Sequence, residues 1–461
     1  MAIVKPQLKK QNLDPNNLKN YRPISNLPFL SKLLEKTILC QLQDHLKSND
    51  LYSPFQSAYR TGHSTETALT HVTNDLLAKM DDGKISMVVL LDLSAAFDTT
   101  DHEILLARLQ SYFGVDGTAL AWLRSYITGR MQFVSVLGYD SEPVPLSFGV
   151  PQGSVLGPVL FIMYTKPLSD LIAKHPVKHQ SFADDTQLNT SFDSCNIDSA
   201  IEIIQHCTND IQSRMVQNKL QLNEGKTGAL VATSSSDKDL PTSIQIGSSV
   251  VPFVKSVRNL GVILDRRLSM KEHINKVCQM AYWELRRISS IRQYLTEDAA
   301  KTLVVSLVLS RLDYGNCLLA GVPECLLHKL QKIQNASARL ILKSSRQEHT
   351  KPLLKSLHWL PISDRITYKL SCMCYNSVTA STPQYLADLL QIYTPSRTLR
   401  STTDTRKLKI PLFKKKYSGQ RSFSYQGPVT WNNLPFSIRH TQTYSSFKSQ
   451  LKTHLFSQTF Q

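Results

Sequence analysis

Two short apolar segments end in carboxylates, and that pairing constrains the chain more than any other feature. Residues 86–93 read SMVVLLDL, β-branched and almost wholly apolar, which is the composition of a strand buried on both faces. Asp92 stands at its end, with Asp98 six residues on. Residues 180–188 read as strand, turn, strand, with Phe182-Ala183-Asp184-Asp185 at the tip. Adjacent aspartates in such a setting repel each other, and desolvation raises the cost. A divalent cation relieves both penalties. Mg²⁺ takes hard oxygen ligands and keeps positions for water and substrate phosphates. One carboxylate facing two others from a tight hairpin can hold two ions about 3.5–4 Å apart, the arrangement that stabilises an in-line phosphoryl transfer. Each aspartate alone also has an ordinary reading as a turn or cap residue.

The 461 residues predict two to four domains. Residues 1–270 hold 25 Lys/Arg against 26 Asp/Glu, while residues 271–461 hold 28 against 10. The net charge of +17 therefore sits wholly in the C-terminal part, which suits a polyanion partner such as nucleic acid. Eight scattered cysteines show no C-x2-C framework for zinc, and Cys372 and Cys374 read as helix-core thiols in a reducing compartment. No apolar run reaches membrane-spanning length, since residues 303–319 are broken by Arg311 and Asp313. The N-terminus has no apolar segment of a secretory signal.

Helical spacing covers 26–50, 67–80, 101–112, a stretch ending at 127, 158–165 and 200–220. Strands are predicted at 132–137, 229–233, 244–246, 250–254 and 259–264, and a polar loop at 233–241. From about 268 the pattern is all helical, with Thr296 as an N-cap and Pro323 at a helix start. Residues 392–426 read as basic and irregular.

Seven segments, in order, resemble the reverse transcriptase of non-LTR (LINE-type) retrotransposons of vertebrate type. NYRPISNLPFLSKLLEK and QSAYRTGHSTETAL resemble the fingers motifs, VVLLDLSAAFDTTDHEIL motif A, GVPQGSVLGPVLF motif B, and FADD motif C. NKLQLNEGKTG is similar to motif D and VRNLGVILDRRL to motif E. HWLPISDRITYK and GPVTWNNLP resemble C-terminal segments of such proteins. The resemblance implies an α+β right-hand polymerase: fingers and palm over 1–267, a helical thumb over 268–345, and a basic C-terminal region over 346–461.

It also implies site roles. Asp92, Asp184 and Asp185 would be the catalytic acids and, with the carbonyl of Leu93, the ligands of two Mg²⁺ ions. Arg22 would clamp the triphosphate, with Lys9 or Lys10 assisting. Phe97 would underlie the sugar and exclude a 2′-hydroxyl, Gln152 would meet the nascent pair, and Lys226 would serve the departing pyrophosphate. Arg60, Gly153 and Gly261 would face template or primer. EGKTG does not make a P-loop, because Leu220 stands where that pattern requires glycine.

The expected function is RNA-directed DNA polymerisation, with RNA template, DNA primer or target DNA and dNTPs as partners, no membrane, and work in nucleus and cytoplasm. The alternatives are a catalytically inactive nucleic-acid-binding remnant and an RNA-templated RNA polymerase, which Phe97 disfavours. Nothing resembles the endonuclease of such elements, so the expectation is an N-terminally truncated copy.

Overall fold

The Ile85–Leu91 strand is the spine of the molecule, because nearly every one of its side chains is buried. The computed structural model describes residues 2–10, 12–94, 97–234, 240–394 and 405–461. The spine strand pairs antiparallel with Asp185–Phe192 on one side and Gly228–Ala232 on the other. Lys178–Phe182 extends the sheet as a hairpin with Asp185–Phe192. Ser249–Val254 runs parallel to Gly228–Ala232, and Ser243–Ile246 closes that edge.

The two-residue period of the strand sorts its side chains into two cores. Met87, Val89 and Leu91 join Leu105, Phe161, Ile204 and Ile211, from helices His102–Ser111, Gly157–Ile172 and Ile197–Gln217. Val88 and Leu230 face the opposite way, onto Leu69 and Leu76 of helix Thr65–Asp81. That helix starts at a reciprocal cap. The Ser64 hydroxyl accepts the Thr67 N–H at 3.2 Å, and the Thr67 hydroxyl accepts the Ser64 N–H at 2.9 Å. A second sheet runs Tyr21–Asn26, Ala2–Leu8, Met131–Val136 and Tyr139–Asp140, with Val144–Pro145 also on Met131–Val136.

Beyond Met270 the chain is helical, as expected. Thr296 caps helix Glu297–Val304 through the Ala299 N–H, and Pro323 directly precedes helix Glu324–Leu342. Helices Lys271–Ile291, Ile362–Ala380, Phe423–Asn432 and Tyr444–Phe460 complete this part. Leu285, Val304, Ile333, Cys374, Trp431 and Phe447 share one core with Leu69 and Val88, so buried apolar packing is continuous from the central sheet to the last helix. All eight cysteines are free, and Cys372 and Cys374 are buried on their helix. No described helix is long and apolar enough to cross a membrane.

The structure departs from the predicted elements in two places. Residues 259–264 are not one strand: Leu260 and Gly261 form the turn of a hairpin between Ser256–Asn259 and Val262–Asp265. Leu260 and Gly261 carry positive φ there, and an apolar residue at a turn looks like strand in sequence. The stretch read as irregular already contains the start of helix Phe423–Asn432. Residues 235–239 of the polar loop and 395–404 of the basic stretch lie outside the described residues.

Candidate active site

The strand register brings the three acids to one end of the central sheet. Leu91 is the last residue of the spine strand in the ladder and lies opposite Thr186, so the next position, Asp92, falls across from Asp185. Asp184 occupies the turn between the paired residues Phe182 and Asp185. Ala183 holds that turn with φ +56°, a left-handed conformation that an L-residue adopts only when its surroundings fix it. Buried Gln56 supplies the fixing. Its Oε1 accepts the Ala183 N–H at 3.0 Å, and its Nε2 donates to the Ala183 carbonyl at 3.3 Å.

Asp92 is held from the other side. Leu93–Ser94 pairs with Gln221–Leu222, which brings the following turn across the end of the sheet. The Asn223 N–H donates to the Asp92 carbonyl at 2.8 Å, and its Nδ2 donates to Asp92 Oδ2 at 3.1 Å. Lys226 Nζ lies 2.8 Å from the same oxygen, its own side chain 65% exposed against 18% for Asp92. A cleft of about 490 Å³ opens here, lined by Asp92, Asp185, Lys226, Gln187, Arg258 and Gly261 among others.

The electrostatics follow from this proximity. Burial pushes the Asp185 carboxyl up to about 6, helped by the charges of Asp184 and Asp92 and opposed by Lys226. Asp184 is also raised, by burial and then by Asp92, while its own backbone N–H, Lys226 and Arg22 pull it back. A set of carboxylates that repel in a half-buried cleft is the donor chemistry a hard divalent cation neutralises, so the residues fit such an ion. Their ligand atoms are not drawn as tightly together as those of His175, His206 and Asp210, the one described group of three whose ligand atoms all lie within 4.8 Å of one another. Asp92 Oδ2 is turned instead to Lys226 and Asn223.

The remaining expected site residues surround this centre at different ranges. Leu93 is buried and pairs with Leu222. Arg22 is exposed on strand Tyr21–Asn26, and its charge reaches Asp184. Phe97 is half-buried and stacks on Phe161, ring centroids 4.7 Å apart. Its carbonyl accepts the Val150 N–H at 2.8 Å, which ties its backbone to the 149–153 loop. Gln152 Nε2 donates to both Asp98 oxygens, at 3.1 and 3.0 Å. Asp98 therefore stands apart from the three acids and anchors that loop. A cavity of about 620 Å³ lies beside it, lined by Val4, Ser25, Asp98, Phe148 and Gln152 among others.

Arg60 is held in place by its own loop. Its Nη1 donates to the carbonyls of Ser53 and Gln56 at 2.7 and 3.0 Å, and its guanidinium lies 4.4 Å from the Tyr52 ring centroid. It braces the loop that carries Gln56. Gly261, at φ +86°, lies in the turn held by Tyr314, whose hydroxyl donates to the Leu260 carbonyl at 2.5 Å.

Gly153 has a backbone reason to be glycine. At φ +111°, an added Cβ would lie 2.7 Å from the Ser25 carbonyl oxygen, beside the 2.7 Å bond from the Ser25 N–H to the Gln152 carbonyl. Gly153→Ala is expected to cost about 1–3 kcal/mol in urea unfolding, the usual cost of forcing an L-residue into such a conformation. An unchanged midpoint would show that the loop shifts freely.

Gln56, Asn223 and Asp98 were not singled out for the roles they hold here. Each is a single polar residue in a loop whose partner is far away in the chain, so no local pattern marks it.

Known proteins bear on this geometry. The family profile described as reverse transcriptase (RNA-dependent DNA polymerase) matches residues 8–264. A probable RNA-directed DNA polymerase from transposon BS of Drosophila melanogaster is 28% identical over 335 residues, covering 70% of this chain and 36% of that protein. The RNA-directed DNA polymerase from the mobile element jockey of the same fly is 26% identical over 370 residues, covering 78% and 39%. This chain thus spans well under half the length of these relatives. A structure of apo telomerase from Candida tropicalis is a more distant likeness, with 12% identity, a TM-score of 0.42, and cover of 84% of this chain and 67% of that one. The profile takes in more than half of the chain and all three acids, so the chain belongs to the reverse transcriptase (RNA-dependent DNA polymerase) family, among its LINE-type, non-LTR members.

Proposed function

We propose that this chain copies RNA into DNA, adding deoxynucleotides to a primer 3′-hydroxyl. The observation that carries the reading is the meeting of Asp92, Asp184 and Asp185 at one end of the central sheet, with Lys226 on Asp92. The family generally uses divalent metal ions, and we assign two Mg²⁺ to the three acids and, from its position in the chain, the Leu93 carbonyl. When bound, such ions neutralise charge at the reacting phosphate and favour the nucleophilic form of the 3′-hydroxyl.

The chain's own groups do the rest. Arg22 offers a planar fork of donors to the triphosphate. Lys226 places an ammonium where the pyrophosphate departs. The Phe97 ring, braced by Phe161, forms a wall flush with a deoxyribose and in conflict with a 2′-hydroxyl. Gln152, steadied by Asp98, presents the backbone of the 149–153 loop to the nascent pair. The Gly261 turn faces the same cleft as Asp92 and Asp185, where a primer end belongs. The excess positive charge after residue 270 grips template–primer duplex through phosphates and shape rather than base edges. Copying RNA onto chromosomal DNA sets the working compartments as cytoplasm, for synthesis, and nucleus.

Primer extension on an RNA template with dNTPs and Mg²⁺ tests the reading. Extension with dNTPs and little with NTPs supports it, whereas binding of template–primer without extension would leave only the inactive remnant. Phe97→Ala is expected to raise ribonucleotide incorporation by roughly tenfold or more, the scale on which reshaping one apolar wall changes selectivity. Unchanged sugar discrimination would remove the ring from that role.

A further inference from the structure

The tightest group of metal-capable side chains in the described residues lies away from the three acids. Asp210 Oδ2 stands 3.1 Å from His175 Nε2 and 3.7 Å from His206 Nδ1. All three ligand atoms lie within 4.8 Å of one another. His206 and Asp210 are one turn apart on helix Ile197–Gln217, and so share a face. His175 arrives from the turn after helix Gly157–Ile172. The two imidazoles are tilted at 53° with centroids 5.4 Å apart, rather than stacked flat.

The two carboxylate–imidazole separations suit a tetrahedral site. Zinc bound at about 2.0–2.1 Å sets its ligand atoms about 3.3–3.4 Å apart, and the two measured separations straddle that edge. Exposure rises across the group, from 12% for the His175 side chain to 44% for Asp210 and 75% for His206. The site is therefore anchored on one side and open to water on the other, as a three-ligand site requires. Cys207, next to His206, is fully buried among core residues and supplies no fourth ligand.

We propose that His175, His206 and Asp210 form a site for a divalent transition-metal ion, zinc by its ligand set. Two imidazoles with one carboxylate suit zinc, cobalt or nickel, whereas Mg²⁺ prefers oxygen donors alone. The chain thereby sorts two kinds of cation, hard ions at the three acids and a borderline ion here. His175 stands three residues before strand Lys178–Phe182, whose far end carries the Asp184 turn. The bound ion ties the foot of that strand to helix Ile197–Gln217. It is a staple under the catalytic hairpin, more than about 15 Å along the chain from the acids.

Cobalt binding to the whole chain, measured by equilibrium dialysis in excess Mg²⁺, tests this. The parent chain is expected to take up one more equivalent at low micromolar Co²⁺ than His206→Ala, with a tetrahedral visible absorption band that the variant lacks. Cobalt should raise the melting temperature of the parent alone. Uptake by exposed Cys40, Cys195 and Cys325 is common to both chains and cancels. His206 is mostly exposed, so its replacement leaves the core intact, and far-UV circular dichroism checks this. Asp210→Asn is the second variant and should weaken binding at least tenfold. Equal uptake and equal melting in parent and variants would overturn the proposal and leave a hydrogen-bonded ion pair only.

Discussion

Asp184→Asn is expected to abolish primer extension while making the metal-free chain more stable at neutral pH. The two effects share one cause. The side chain is near in shape to asparagine, so the Gln56-clamped turn is kept. What disappears is a charge that burial and Asp92 already disfavour. The catalytic loss should exceed the roughly 10²–10³-fold seen when one neutral transition-state donor is removed, because a formal charge and an ion ligand go together. The stability effect has a definite sign. The Asp185 carboxyl sits at about 6 when folded, against an ordinary value near 3.8. The folded chain therefore keeps a proton that the unfolded chain releases, and stability falls as pH rises from about 4 to 6. Removing the Asp184 charge lowers the Asp185 value and flattens that decline. Urea unfolding with and without Mg²⁺ measures it, and the stabilisation by Mg²⁺ should shrink in the variant. Extension within tenfold of the parent, or an unchanged pH profile, would remove Asp184 from the centre.

The architecture around those acids was readable because it follows local rules. SMVVLLDL is short, β-branched and apolar, as a buried strand is, and FADD lies between two strand-like segments, where a hairpin tip falls. Thr296 and Pro323 mark helix starts by mechanisms that act within one turn. What sequence did not disclose is the set of polar groups that fix the acids in place. Gln56 reaches Ala183 across 127 positions, and Asn223 reaches Asp92 across 131. Nor does sequence disclose that the carbonyls of Ser53 and Gln56 accept from Arg60 and steady the loop that carries Gln56. His206 and Asp210 form a visible i,i+4 pair, yet their third member comes from another helix end, and a search for zinc by cysteine spacing passes over it. Local patterns report backbone state and burial. They carry no register between distant loops.

The same limit hid the anchor of the basic C-terminal stretch, and it leads to the second large effect. Asp81→Ala is expected to cost about 2–3 kcal/mol, because it strands the N–H of buried Gly419 and removes charge-assisted bonds from the part-buried N–H groups of exposed Lys414 and Lys415. Asp81 is buried at the last position of helix Thr65–Asp81. A negative charge there opposes the helix dipole, so the helix itself gains nothing from it. Its oxygens instead accept the N–H groups of Lys414 at 2.9 Å, Lys415 at 2.7 Å and Gly419 at 3.3 Å. Burial works against the charge, but these N–H groups and the Lys415 ammonium outweigh it and hold the carboxyl below its ordinary range. The stabilisation is thus complete above the unfolded value near 4 and fades as pH falls through the lower folded value. Acid should release this segment, seen as faster pepsin cleavage around Leu412, Phe413 and Tyr417 below about pH 4. Lys414 and Lys416 remain exposed, while Lys415 Nζ also donates to the Met80 carbonyl at 2.9 Å. Anchoring and nucleic-acid binding can therefore be separated. Neutralising Lys414 and Lys416 should lower the salt slope of RNA binding by about 0.7–0.9 for each phosphate that is no longer neutralised, at unchanged stability. Asp81→Ala should lower stability and slope together. A slope that neither change moves would make this stretch a structural strap alone, and the phosphate grip would then fall to the basic helices that precede it.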